Sequence, residues 1–268
     1  MSKRSTTLVL LAVLLAQLVL AAGPAFSQSL TEAEKKEFSL NVALPSPAEM
    51  FLAIDRLGDT NWNEAAVFNE RYDYQDNYMR AMNLGVRAAD GLVAILAEDK
   101  TKLGQVIVIV ITLAEELQVQ ETILDRSKTF EDLANQGRWD ELRDELDALR
   151  YLIEMEMDQL GDQDVATLVR VGGWLEGLRV TSQQLAKGIY PEHSSSVLYQ
   201  PNLADYFEKQ LSGMEPEAKR NPAVQAILTA LPELRRLVNV GYRNPVPAEN
   251  IKRLNQISSE LVAMIERG

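Results

Sequence analysis

The chain has 268 residues, no cysteine, one histidine, and 39 acidic against 27 basic side chains, for a formal charge of -12. The missing cysteines exclude disulfides, a lipid-anchored N-terminal cysteine and a c-type haem attachment, and one histidine cannot supply the two Glu-x-x-His motifs of a helical di-iron site. A surface this acidic repels phosphate backbones and anionic lipid heads, so neither nucleic acid nor a membrane surface is an expected partner.

The N-terminus reads as an export signal. Lys3 and Arg4 form a charged start, Leu8 to Ala22 is an apolar run interrupted by Gln17, and Gly23-Pro24-Ala25-Phe26-Ser27 follows with small residues where a signal peptidase reads. Cleavage is expected near Ser27, leaving 241 residues. The leader carries those two basic residues and no acidic one, so its loss moves the formal charge from -12 to -14. The alternative is an uncleaved anchor, because Leu8 to Phe26 approaches the roughly 20 residues that a spanning helix needs. An acidic, cysteine-free chain with a leader and no Asn-x-Ser/Thr sequon fits the bacterial periplasm.

Beyond the leader the pattern is helical throughout, and the expected fold class is all-α, an irregular multi-helix bundle with long antiparallel helices. Thr31 and Glu34 have capping-box spacing, and Ser46 precedes Pro47 at a first helical position, opening a helix over 47–57 that stops near Gly58. Asn61 is placed to cap a short helix through Phe68. A longer helix is expected over 74–98, with Tyr78, Met82, Ala89, Leu92 and Leu96 on one face.

Val106 to Ile111 alternates valine and isoleucine, which favours a strand by propensity. It has no polar alternation and runs into Leu113-Ala114-Glu115-Glu116 without a turn signal. The spacing therefore predicts a helix buried on nearly all sides over 102–127, the centre of the bundle. After Gly137, Trp139, Leu142, Leu146, Leu149 and Ile153 follow the three-and-four spacing of a bundle seam. The stretch Gln136 to Leu142 does not recur at a fixed period, so no repeat array is expected. Gly161-Asp162 breaks the chain, with Asp162 as the expected cap of a helix carrying Val165, Leu168, Leu175, Leu178 and Leu185. That helix also holds Gly172, Gly173 and Gly177. Each glycine costs about 1 kcal/mol against alanine in a helix, so three together point to a close helix crossing. Residues 188–202 read as a loop, and helices near 203–212, 222–240 and 247–267 complete a smaller C-terminal section packed on the main bundle of 28–187. Pro232 is expected to kink the second of these.

Few motifs carry chemistry. His193 lies beside Ser194, Ser195 and Ser196, but no Gly-x-Ser-x-Gly elbow accompanies it. Asp158, Asp162 and Asp164 around Gly161 lack the alternating ligands and terminal glutamate of a calcium loop. No catalytic residue, cofactor or metal ligand is assigned. The strongest binding signal is the run from Arg71 to Arg87, where Tyr72, Tyr74 and Tyr78 lie among Arg80 and Arg87, a composition that interface hot spots favour. Asp76 with Arg80, Asn83 with Arg87 and Arg87 with Asp90 have the spacing of a polar helix stripe. The expected function is therefore a non-catalytic exported binding or scaffolding protein for an unidentified protein, peptide or small ligand. A carboxylate-dependent enzyme acting on envelope glycans and a membrane-anchored sensor are the alternatives.

Overall fold

A computed structural model describes residues 47–58, 60–159 and 161–268. The leader, Thr31, Glu34 and Ser46 lie outside them. Eleven α-helices and one 3-10 helix occur among the described residues, and the fold is an all-α multi-helix bundle. In chain order, α1 is Pro47–Asp55, α2 Trp62–Ala65, α3 Asn77–Leu96, α4 Lys100–Glu116, α5 Gln120–Gln136, α6 Trp139–Gln159 and α7 Gln163–Ala186. The 3-10 helix Glu192–Leu198 follows, then α8 Pro201–Gly213, α9 Pro216–Arg220, α10 Pro222–Val238 and α11 Ala248–Arg267.

Local chemistry sets several of these starts. The Asp76 carboxylate accepts from the Tyr78 and Met79 amides at the start of α3, and Asp99 accepts from Lys102 N at the start of α4. Asn61 accepts from Glu64 N, and Asn221 from the Ala223 and Val224 amides. Each such cap satisfies amides that the helix itself leaves without partners. Asp162 occupies the cap position of α7, yet its side chain makes no capping bond. Residues 192–198 are wound as a 3-10 helix, held by Ser195 Oγ, which donates to Glu192 O and accepts from Val246 N. α10 contains Pro232 within its assigned length.

The helix expected over 102–127 is two. α4 stops at Glu116, Gln118 takes a left-handed φ of 63°, and α5 starts at Gln120. Nor is α4 buried all round: Val106, Ile109, Val110 and Leu113 face the core, while Val108 is 64% exposed. The apolar run of 106–111 supplies one buried stripe, and its surplus valine faces solvent. The centre of the bundle is α7 instead. Buried residues occupy 18 of its 24 positions, on every face, because α3, α11 and α1 all pack against it, α3 most extensively.

The glycines explain how α3 and α7 come so close. A Cβ on Gly172 would lie 2.0 Å from Met82 O, and one on Gly85 would lie 1.9 Å from Val169 O. Both separations are far inside van der Waals contact, so the two backbones touch and only hydrogen fits between them. Gly177 faces α1 instead, where a Cβ would meet the movable end of the Met50 side chain at 2.5 Å while the Pro47 Cα stays 3.4 Å away. The close crossing expected of the glycine-rich helix is present, formed by Gly172 and Gly173 against Gly85 and Met82 of the partner helix.

Candidate functional site: a buried charge cluster beside an apolar recess

Where α3, α7 and α11 meet, the core contains charge. Arg87 and Asp90 lie one turn apart on α3, with side chains 2% and 5% exposed. Arg87 donates through Nη1 to Asn69 O in the loop before α3 and through Nη2 to Glu266 on α11. Its Nε lies 3.0 Å from Asp90 Oδ2. The pair is close but misaligned, so neither atom completes a hydrogen bond; the attraction is ionic and not directional. On α7, Glu176 is fully buried and takes Arg179 in a two-pronged grip, with Arg179 Nε at 2.7 Å from Oε2.

Burial pushes the Asp90 carboxyl well above its ordinary range, the neighbouring Glu176 charge pushes it further, and the Arg87 and Arg179 guanidiniums oppose both. For Arg179, burial disfavours the charge, yet the carboxylates of Glu176, Asp90 and Glu266 more than offset it and hold the guanidinium above its ordinary value. Asn83 extends the polar seam, donating to Met79 O and, at 2.8 Å, to Ile265 O of α11. Asn255 of α11 donates to Arg179 O and Ser182 Oγ.

Next to this cluster lies an apolar recess of about 50 Å³ between α3, α4, α5 and α6. Its walls include Val106 and Val110 of α4, Phe130 of α5, and Leu149 and Ile153 of α6. The side chain of Arg87 borders it, so one residue belongs to both the charge cluster and the recess.

The aromatic run is dispersed across the structure. Tyr74 is buried, donates its hydroxyl to Glu266 O at 3.1 Å, and stacks under the Arg71 guanidinium at 4.8 Å. Burial pushes its phenol up to about 12. Tyr72 is 53% exposed. Tyr78 is half-buried and borders an open polar recess with Asp76, Glu217 and Arg220. Arg80 turns to Asn77 and, at 3.3 Å, to Glu116 of α4. Asp76 does not pair with it, because its carboxylate caps α3 and accepts from Asn221 Nδ2 at 2.8 Å. Asn83 and Arg87 likewise take different partners, whereas Arg87 with Asp90 does form. The structure thus joins Tyr74 and Arg87 through Glu266 and places Tyr72, Tyr78 and Arg80 elsewhere.

Glu176, Arg179 and Glu266 were not legible as members of a site. Their signal was weak: an acidic residue among valines, glycines and tryptophan on an otherwise apolar helix. His193 is exposed on the 3-10 helix, while Ser195 is buried and committed to backbone partners. Among the described residues, no group of three His, Cys, Asp or Glu is arranged to hold a metal ion, and no helix is long and apolar enough to cross a membrane. Set against protein-family models, curated proteins and solved structures, the chain matches none of them.

Proposed function

We propose that this is an exported, non-catalytic binding protein of the bacterial periplasm, and that its ligand places the end of an alkyl chain in the recess between α3, α4, α5 and α6. The supporting observation is the lining of that recess, which is almost wholly aliphatic and aromatic carbon. A peptide would bring backbone amides that need hydrogen-bond partners there. An alkyl chain brings none. A space of about 50 Å³ is well below the roughly 300 Å³ at which whole drug-sized ligands are enclosed, so it suits a chain end. Each methylene removed from water contributes about 0.8 kcal/mol.

The test is displacement of N-phenyl-naphthylamine fluorescence by decanol. Saturable binding is expected for the parent chain and at least a tenfold loss for Val106→Trp, whose indole would fill the recess. Unchanged affinity in a folded Val106→Trp would remove the recess from consideration. Export with loss of the leader predicts a native N-terminus at Gln28, which intact-mass measurement reads directly.

The glycan-enzyme reading draws no support from the carboxylate pair in the core. A glycosidase sets two carboxyls on either side of a bond, roughly 5 to 9.5 Å apart. Asp90 and Glu176 are instead sealed in the core, with side chains 5% and 0% exposed, out of reach of a sugar.

A further inference from the structure

Among the described residues, three that are not glycine take a left-handed φ: Glu98, Gln118 and Arg243. Two of them close helices. Past α3 the Asp99 amide donates to Ala94 O, and past α4 the Val119 amide donates to Ala114 O, the bond made by a helix that ends on a left-handed residue. Arg243, with φ 62°, closes no helix, because α10 has already ended at Val238 and α11 starts at Ala248. It is the third residue of the turn over 241–244, in which Asn244 N donates to Gly241 O at 3.1 Å. A left-handed residue in that place makes a type II turn, which glycine fits and a long side chain strains.

The strained turn presents a surface. Tyr242 is 73% exposed. The Arg243 guanidinium carbon lies 5.2 Å from the centre of its ring, and Tyr199, at the end of the 3-10 helix, meets it edge to face at 6.3 Å. Hydrogen bonds pin the turn on both sides: Asn244 Nδ2 donates to Val240 O at 2.9 Å, and Val246 N to Ser195 Oγ at 2.8 Å. A contact between guanidinium and ring returns little where water reaches both, so packing does not account for the strain. The local charge is opposite to that of the whole molecule. Residues 235–253 hold five basic side chains and one acidic, in a chain of net charge -12. Arg235, Arg236 and Arg253 face the carboxylates of Asp205 and Glu233, whereas Arg243 has the Tyr242 ring and no carboxylate partner among the described residues.

We infer that Tyr199, Tyr242 and Arg243 form a docking surface for a glycan with sparse carboxylates. The surface is separate from the alkyl recess, whose lining includes none of the three. A pyranose ring has a face of C–H groups that covers an exposed tyrosine ring, while the hydroxyls at its rim stay in water, as the tyrosine hydroxyl does. A carboxylate on the sugar meets the unclaimed donors of Arg243 as a two-pronged pair. Nucleic acid is a worse fit, since each further phosphate meets the field of an acidic chain. An extended peptide is also a worse fit, because the described residues include no strand edge to pair with its backbone.

Isothermal titration with two disaccharides tests the assignment. N-acetylglucosaminyl-N-acetylmuramic acid carries a lactyl carboxylate on one ring, and chitobiose has the same rings without it. Saturable binding of the acidic disaccharide is expected, about tenfold tighter than chitobiose. Arg243→Gly relieves the turn and removes the cation, so its melting temperature should be no lower than the parent's while its affinity for the acidic disaccharide falls about tenfold. Tyr242→Ala should weaken both sugars alike. Absence of saturable binding to the parent chain, equal affinity for the two sugars, or parental affinity in Arg243→Gly overturns the proposal. So does a lower melting temperature in Arg243→Gly, which would mean that the arginine is kept for the fold. The two sugars compared on the parent chain decide the matter alone if Tyr242→Ala fails to fold.

Discussion

The two flanks of α3 are built on opposite principles. On one side it meets α7 through Gly85, Gly172 and Gly173, backbone against backbone, with Arg87, Asp90 and Glu176 sealed into the same junction. On the other it meets α4 through aliphatic side chains and leaves a recess. Close approach removes the side-chain layer that would otherwise adjust, so the first interface tolerates almost no change of shape. The second is padded by Leu103, Val106 and Val110, which repack at modest cost. The polar groups lie in the rigid interface, where geometry can be held, and the space lies in the compliant one.

The sharpest way to break this contrast is to add atoms to the rigid side. Gly172→Val places carbon where Met82 O already sits, and backbone cannot swing aside as a side chain does. A loss of about 4 to 5 kcal/mol is expected, enough to unfold a domain of ordinary stability, and circular dichroism with thermal melting reads it. A folded Gly172→Val with an unchanged melting temperature would show that the helices can part without penalty. Next in size is Arg87→Met, which keeps length and removes charge. It strands Asp90 and Glu266 and opens the carbonyl of Asn69, for a loss of about 3 to 5 kcal/mol by urea denaturation. If that loss stays under about 1 kcal/mol, the cluster is not a buried ionic unit. The smallest effect has the opposite sign. Gly104 lies within α4 with nothing within 4 Å of its missing Cβ, so Gly104→Ala is expected to stabilise by about 0.5 to 1 kcal/mol through helix propensity alone. Equal penalties at Gly104 and Gly172 would erase the distinction between the two flanks.

The fold class was legible because caps and apolar periodicity are local. Asn61 caps its helix as its position suggests, and the glycine-rich helix does make a close crossing. The division of 100–136 into α4 and α5 was not legible, because Leu117-Gln118-Val119 holds neither glycine nor proline and the turn relies on Gln118 adopting a left-handed φ. The tyrosine run drew attention by composition. Composition does not say which way a side chain points: Tyr74 turns inwards to Glu266, and Tyr72 turns out.

By itself the sequence determined what one stretch of chain can decide: all-helical structure, helix starts, and, through residue counts, the exclusion of disulfides, c-type haem attachment and a paired Glu-x-x-His di-iron motif. Only the tertiary structure decided which helix is central and which charges are buried. Arg87, Glu176 and Glu266 stand up to 179 positions apart in sequence, and an acid on an exposed helix face is written with the same letter as one sealed in a core. Burial is a property of what packs against a residue, and here the packing is set by glycines on two helices, Gly85 and Gly172, that must meet before either has a reason to be glycine.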